Sequence, residues 1–305
     1  MLRGDFMFDT SKSNKKKTYG IVALFVVFLT LIVYFVGIIW FEEASYIVAI
    51  IAMIFSIISA WGSYYFSDKI VLSLNGARPA TKEENQRMVE NLEGLCIAAG
   101  LPTIPKLYIM DDGSPNAFAT GRNPEHAVIC VTTGLLQKLD SNELEGVLAH
   151  ELSHIKNYDI LLQTIAAVFV GFVTIISDLF FRVSIRSNRS RDNDNGGAAQ
   201  AVLIIIGLIF LALSPIFANL LKLALSRNRE FLADSSAVEL TRNPEGLISA
   251  LRKISSDTDP LEQANKATEC MYISNPIKNK KGKTSSLFST HPSIEDRIAQ
   301  LENIG

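Results

Sequence analysis

Four long apolar runs dominate the pattern of hydrophobic and polar positions along the chain. The first two, at 19–39 and 46–66, contain no charged residue, and each is long enough to cross a hydrocarbon core of about 30 Å as a helix. The later two, at 160–181 and 198–221, are equally long, although one holds an aspartate and the other a proline. The pattern predicts four membrane spans arranged as two hairpins.

The polar stretches between these runs indicate how the chain is divided into membrane and polar segments. We predict an N-terminal segment at 1–18, a membrane hairpin at 19–66, the first part of a polar domain at 67–159, a second hairpin at 160–221 and the second part of the domain at 222–305. Helical and strand patterns alternate irregularly in the polar domain. The fold class is therefore expected to be α+β, with a small β-sheet beside helices.

Short patterns within 67–159 predict individual elements. The capping box from Thr81 to Glu84 opens a helix that should end at Gly100. Residues 106–110 and 127–132 are rich in strand-forming side chains and are bounded by turn residues, which predicts two strands. A second capping box, from Asp140 to Glu143, starts a helix that continues almost without a break into the third apolar run.

The charges around the first apolar run predict its orientation. Four lysines precede this run, whereas the turn after it holds two glutamates and no lysine or arginine. The positive-inside rule therefore places 1–18 and 67–159 in the cytoplasm. Four arginines between 182 and 191 fall in a loop that this topology places outside. Either the first helix dominates the orientation, which we favour, or the later hairpin does not fully cross.

Overall composition narrows the function classes. A hydrophobic fraction of 48% and a mean hydropathy of +0.23 are typical of a membrane protein. The net charge of −2 excludes a strongly basic nucleic-acid binder. Cys96, Cys130 and Cys270 lie far apart in the sequence, so we expect buried, reduced thiols and neither zinc ligands nor disulfides.

The segment from His150 to His154 carries the strongest chemical signal. On an α-helix, residues i and i+4 lie on one face with their Cβ atoms about 5–6 Å apart, so both imidazoles can bind one metal ion. Glu151 lies about 100° round the helix, where it can act on water without being a ligand. A chance match in so histidine-poor a chain is expected about 0.003 times. The alternative is an amphipathic helix with solvated histidines.

A catalytic zinc ion takes three protein ligands, so a third ligand has to come from elsewhere. Glu230 fits this requirement, and Asp234 follows four residues later on the same helical face, where it can accept a hydrogen bond from a ligand histidine. The two acids could instead balance Arg227 and Arg229 on a solvated helix. The spacing alone leaves both interpretations open.

Together these features resemble the HtpX-like membrane zinc metallopeptidases. The resemblance rests on His150-Glu151-Leu152-Ser153-His154, on Arg229-Glu230-Phe231-Leu232-Ala233-Asp234, on two apolar runs before and two after the histidine helix, and on Thr290-His291-Pro292 with Arg297. It covers nearly the whole chain. It implies one mainly helical, zincin-type catalytic domain in a multispan membrane protein. It also implies that Glu230 is the third zinc ligand and that Asp234 supports a zinc histidine.

The resemblance implies two further sites. The segment Asn116-Ala117-Phe118-Ala119 matches a strand near the family's cleft, where an edge strand could bind an extended polypeptide through backbone hydrogen bonds. The alternative is an ordinary core strand or a turn. His291 either stabilises the oxyanion as a hydrogen-bond donor or caps the last helix. We therefore predict substrate binding at 116–119 and place His291 beside Glu151 among the predicted catalytic residues.

The resulting hypothesis is a membrane-anchored zinc endopeptidase. One Zn²⁺ held by His150, His154 and Glu230 would acidify water, and Glu151 would act as general base in peptide-bond hydrolysis. The resemblance implies quality control of damaged or misfolded membrane proteins from the cytoplasmic side of a bacterial inner membrane. The alternatives are a multispan transporter, a zinc-stabilised scaffold without protease activity and a prenyl-protein endopeptidase. The scarcity of ionisable residues in the first three runs disfavours a transporter.

Overall fold

A computed structural model of the chain describes residues 2–40, 45–187, 209, 227–262, 267–276 and 291–304. The predicted N-terminal segment is helical and continuous with the first apolar run in helix α1 (Leu2–Trp40). Helix α2 (Ser45–Tyr65) contains most of the second run and leads into the short helix α3 (Ser67–Leu74). The predicted run at 198–221, apart from residue 209, lies outside the described residues.

The helix predicted after Thr81 is confirmed as α4 (Lys82–Ala99). Both hydrogen bonds of its capping box form, because the Thr81 hydroxyl accepts from the Glu84 amide and the Glu84 carboxylate accepts from the Thr81 amide. The helix ends at Gly100, whose φ of 69° lies in the left-handed region that a residue without Cβ adopts at low cost.

Within the described residues, one mixed sheet contains the strands β1 (Arg78–Pro79), β2 (Lys106–Met110), β3 (Ala117–Gly121) and β4 (Ala127–Thr132). Their order in the sheet is β1-β2-β4-β3. Strand β2 runs parallel to β4, whereas β1 pairs with β2 and β3 pairs with β4 in antiparallel register. The two predicted strands are confirmed as β2 and β4, and β3 forms one edge of the sheet.

The second predicted capping box is also confirmed. Asp140 accepts from the Glu143 amide, Glu143 accepts from the Asp140 amide, and helix α6 (Ser141–Lys156) begins there, after the short helix α5 (Thr133–Lys138). Tyr158, with φ of 59°, joins α6 to α7 (Asp159–Ser187), which follows at a bend of 82°. The histidine helix therefore does not run straight into the third apolar run but turns sharply before it.

Three further helices complete the described domain: α8 (Arg227–Thr241), α9 (Pro244–Ser256) and α10 (Ile294–Glu302). Helix α6 packs between α4, α8 and α9, and its apolar stripe lies in the main core. Gly146 permits the close approach of α9, because a Cβ there would lie 2.8 Å from the Leu247 nitrogen. The result is a mainly helical domain with a small mixed sheet, as predicted.

A second apolar core joins the N-terminal helix to this domain. Phe25 of α1 stacks on Phe169 of α7 with ring centroids 3.8 Å apart, and both rings are buried. Cys96, Cys130 and Cys270 are buried, as predicted, and their thiols are free. Within the described residues, no single helix is both long and apolar enough to cross a membrane, whereas two bent helix pairs are: Ile50–Tyr65 with Ser67–Leu74, and Ser141–Lys156 with Asp159–Thr174.

Candidate metal centre

Three predicted ligands meet in the interior of the domain. The Nε2 atoms of His150 and His154, both on α6, lie 3.2 Å apart. Helix α8 brings Glu230 to them, with Oε1 3.6 Å from His154 Nε2 and Oε2 3.9 Å from His150 Nε2. All three side chains are buried, and their ligand atoms lie within 4.8 Å of one another. The structure therefore joins two segments that lie on either side of the second predicted hairpin.

These separations suit a small divalent cation. A tetrahedral zinc ion with bonds of about 2.0–2.1 Å holds its ligand atoms about 3.3 Å apart. The two imidazole nitrogens are 3.2 Å apart, whereas the two oxygens of Glu230 each lie nearer to a different histidine, at 3.6 and 3.9 Å. With one donor atom from each residue, the three atoms lie within 4.8 Å of one another, so a modest rotation of the carboxylate would bring them around an ion of that size. Two imidazoles and one carboxylate form the donor set of a hydrolytic metal site that leaves one position open.

Glu151 lies beside the ligands on the same helix and is also buried. Burial raises the pKa of its carboxyl to about 7, which favours a group that can both take up and release a proton near neutral pH. Its carboxylate accepts a hydrogen bond from the Ala119 amide on strand β3. The predicted base therefore touches the predicted substrate strand.

Asp234 lies next to His150 on the side away from the other two predicted ligands. The Nδ1 atom of His150 lies 2.9 Å from Asp234 Oδ1, so this nitrogen carries the proton and Nε2 keeps its lone pair for a metal. Arg297 binds the same carboxylate in bidentate fashion, at 2.8 and 2.6 Å. Burial opposes ionisation of Asp234, but the charge of Arg297 holds its pKa below the ordinary value.

Two residues that the sequence analysis did not assign to the site also lie in it. Arg297 is fully buried, and besides Asp234 it approaches Glu230 Oε2 to 3.8 Å. Asp159, at the start of α7, lies 3.2 Å from Nδ1 of His154. Its spacing of five residues from His154 crosses a turn and follows no helical period, so no pattern in the sequence indicated it.

His291 lies against the third ligand. Its Nδ1 atom is 3.2 Å from Glu230 Oε2, and its Nε2 atom is 3.1 Å from the carbonyl of Cys270. The last helix is capped by Ser293, whose hydroxyl accepts from the Asp296 amide. His291 is thus placed beside one of the predicted metal ligands, and Ser293 takes the capping role that the sequence had left open for His291.

The predicted substrate strand is at the sheet edge, but parts of its outer edge are already paired. Ala117 accepts a hydrogen bond from the Ile273 amide at 2.9 Å, and Phe118 forms an antiparallel bridge with Tyr272. Asn116 precedes the strand, and its side chain donates to the Ser274 carbonyl at 3.0 Å. Residues 116–119 are therefore buried beside the centre and are covered in part by a segment of the same chain.

Comparison with known proteins identifies the family that this geometry represents. Residues 79–305 match the sequence model of Peptidase family M48. The chain belongs to this family. Among similar relatives, it is 47% identical over 298 residues to a "Protease HtpX homolog" of Dictyoglomus thermophilum, covering 98% of this chain and 95% of the relative. A "Protease HtpX homolog" of Listeria monocytogenes is 44% identical over 309 residues, covering 98% and 100% of the two chains.

Membership of family M48 makes the protein a metal-dependent peptidase, as the sequence analysis predicted. The resemblance to HtpX proteases is likewise confirmed. Among solved structures, Ste24p of S. mikatae aligns with a TM-score of 0.49 at 18% identity, covering 97% of this chain and 67% of that chain.

Metal affinity is expected to rise with pH. Burial lowers the pKa of His154, but the hydrogen bond to Asp159 and the charge of Glu230 outweigh it and raise the pKa to about 9. Metal binding requires the neutral ring, so it must displace this proton at neutral pH. Chelator competition should show the dissociation constant falling about tenfold per pH unit between about pH 6 and pH 8. A pH-independent constant would contradict this assignment.

Proposed function

We propose that this M48 peptidase is a zinc-dependent endopeptidase that is anchored in a membrane and cleaves polypeptides on its cytoplasmic side. The observation that carries the proposal is the convergence of His150, His154 and Glu230, whose donor atoms are spaced for a tetrahedral cation beside the buried Glu151. A closed structural zinc site has four protein ligands and needs no neighbouring base. The three-ligand set with Glu151 therefore favours catalysis over a scaffold.

Each side chain has a separate task in the proposed reaction. Bound zinc would act as a Lewis acid toward the scissile carbonyl and make water more acidic. Glu151 takes a proton from the attacking water and later gives it to the leaving amine, a dual role that suits its pKa of about 7. To His291, whose Nδ1 atom lies 3.2 Å from Glu230, we assign the stabilisation of the oxyanion that develops on the substrate, for which its ring would have to exchange one of its present partners.

The membrane anchor is supported by the surface of α2. Ile51, Phe55, Ile58 and Trp61 are each about three-fifths exposed and recur at helical spacing. Soluble monomers rarely expose a continuous apolar face of this length. Lipid contact accounts for this face, and the lysines before the first apolar run support a cytoplasmic catalytic domain.

The substrates follow from this placement. The histidine helix α6 leads directly into α7 and its apolar run, so the catalytic groups lie close to the expected bilayer surface. Unfolded cytoplasmic segments of membrane proteins can reach such a site without extraction from the bilayer. We infer that the protein removes damaged or misfolded membrane proteins, in line with its resemblance to the HtpX-like peptidases.

Substrate binding through the backbone of β3 can be tested with peptides whose amide nitrogens are methylated. An extended peptide that adds to this edge uses alternate backbone amides, so N-methylation of every second residue should weaken binding and methylation of the residues between should not. We expect KM to rise at least about tenfold for the sensitive positions, which corresponds to about 1.4 kcal/mol. KM values for a methylated peptide series measure this. Equal effects at all positions would exclude strand addition.

The Tyr272–Ile273 segment restricts where a substrate can add to β3, because it already pairs with Ala117 and Phe118 at one end of this edge. A substrate would either pair from Ala119 onward or replace this segment. Because Ala119 also contacts Glu151, either arrangement brings a bound backbone next to the proposed base.

Zinc analysis tests the proposed function directly. The full chain purified in detergent should contain about one zinc per molecule, cleave an unfolded protein such as casein, lose activity with a chelator and regain it with zinc. His154→Ala removes one ligand and should abolish both metal content and cleavage. Stable zinc without any cleavage would favour the scaffold, and cleavage that survives complete metal removal would exclude the metallopeptidase mechanism.

A further inference from the structure

The metal ligand His154 contacts a second carboxylate on the side away from the metal. Its Nδ1 atom lies 3.2 Å from Asp159 Oδ2, and both side chains are buried. The turn at Tyr158, with φ of 59°, bends the chain so that Asp159, the first residue of α7, lies next to His154 on α6. Asp159 therefore meets His154 in the same way that Asp234 meets His150.

The other oxygen of Asp159 is held by distant parts of the chain. Asn14, on α1, donates from Nδ2 to Asp159 Oδ1 at 2.8 Å and to the Asn157 carbonyl at 2.9 Å. Arg229, on α8 beside the ligand Glu230, lies 3.2 Å from the same Oδ1. Asp159 is thus held by the N-terminal helix and by the helix that carries the third ligand.

The burial of Asn14 is unusual for its place in the sequence. It lies in a lysine-rich segment ahead of the first apolar run, yet its side chain is fully buried against a residue 145 positions away. Burying a polar group costs free energy unless it is hydrogen-bonded, and here the partner is the carboxyl group of Asp159. The contact therefore fixes the N-terminal helix against the metal centre.

Carboxylates behind metal-binding histidines have a defined effect. They fix the tautomer and the ring orientation, and they make the ligating nitrogen more basic. We propose that Asp159 is the positioning residue of His154 and that Asn14, through Asp159, makes the N-terminal helix a working part of the metal centre. This inference rests on the proposed function, because it requires His154 to bind the ion. It assigns helix α1 a role in the centre besides anchoring.

The test is a zinc titration of the full chain in detergent against a chromophoric chelator. Asp159→Asn should weaken zinc binding by about 10–100-fold, and Asn14→Leu by about tenfold, at the lower end of the range for such partners. Lys16→Leu is the matched control, since it makes a similar change at an exposed position on the same helix, and should leave the affinity unchanged. The melting temperature of the metal-free protein is recorded for every variant.

A double variant shows whether Asn14 affects zinc affinity through Asp159 or independently of it. If Asn14 acts through Asp159, the zinc affinity of Asn14→Leu/Asp159→Asn should equal that of Asp159→Asn within about twofold. If the double variant instead loses zinc affinity by the product of the two single losses, Asn14 does not act through Asp159. A lower melting temperature with unchanged zinc affinity would reduce both residues to structural contacts and overturn the whole inference. A wild-type chain that binds no zinc would instead refute the proposed function.

Discussion

Replacing Glu151 with glutamine is expected to lower the rate of peptide-bond hydrolysis by about 10²–10⁴-fold, because a positioned general base contributes a factor of this size. Glutamine has nearly the same shape, and its side-chain oxygen can still accept from the Ala119 amide. It cannot take a proton from water. His150, His154 and Glu230 are untouched, so the metal content should equal that of the wild type.

The measurement is paired: casein cleavage and zinc content of the same preparation. Glu145→Gln is the matched control, since it makes the same change on the same helix at a half-buried position away from the ligands. It should keep both properties. Cleavage at the wild-type rate by Glu151→Gln would remove this residue from the mechanism, whereas loss of zinc would assign it to metal binding.

The pH profile gives an independent check of the same residue. A general base acts only when deprotonated, so kcat/KM of the wild type should fall as the pH drops through the pKa of Glu151. Burial places this pKa at about 7 without metal, and a nearby divalent cation favours the carboxylate, so the midpoint in the loaded enzyme should lie below about 7. The residual activity of Glu151→Gln should lack this acid limb.

Replacing Arg297 with methionine is expected to destabilise the fold by about 3–5 kcal/mol, the usual effect of removing one partner from a buried ion pair. Arg297 is fully buried, and it binds Asp234 through two hydrogen bonds and the Ile273 carbonyl through a third. Its loss leaves Asp234 buried without its cation. The melting temperature should fall by about 10 °C, given about 2–4 °C per kcal/mol in domains of this size.

A surface arginine provides the comparison. Arg252 pairs with Glu302 at 2.7 Å, but both side chains are more than half exposed, so Arg252→Met should cost no more than about 1 kcal/mol. The double variant Arg297→Met/Asp234→Asn should recover part of the loss, since it removes the uncompensated charge. Equal melting temperatures for the two single arginine variants would show that the buried pair contributes little to stability.

Arg297→Met should also weaken zinc binding. Asp234, which Arg297 binds, lies 2.9 Å from His150, and the same arginine approaches Glu230, so Arg297 supports two of the three proposed ligands. Arg297→Lys retains the charge but not the bidentate geometry, and we expect an intermediate zinc affinity. Chelator competition measures this effect separately from melting of the metal-free protein.

Local signals in the sequence were sufficient to predict those structural features that depend only on neighbouring residues. Both capping boxes depend on residues three positions apart, and both form as predicted. The pairing of His150 with His154 depends on one turn of helix, so the sequence placed both rings on one face before any packing was known. The strands β2 and β4 were predicted for the same reason, whereas a strand at 116–119 was implied only by the family resemblance, with a turn as one alternative.

Contacts between residues far apart in the chain could not be predicted from the sequence. Asp234 with Arg297 and Asn14 with Asp159 join positions 63 and 145 residues apart, and their pairing depends on how α1, α8 and α10 pack. The cover of β3 by Tyr272–Ile273 likewise depends on a chain reversal with no local signature. Asp159 was missed although it is close in sequence, because a positive-φ turn breaks the helical period between it and His154.

The sequence by itself determined the chemistry of this protein: two histidines and a glutamate on one helical turn, a glutamate and aspartate four residues apart, and the apolar runs around them. Helical geometry fixes those relations within a few residues. Only the tertiary structure decided which carboxylate supports which histidine, where His291 and Arg297 lie and that Asn14 reaches the centre. Those relations depend on packing between helices, where small shifts in crossing geometry move a side chain by more than a hydrogen-bond length.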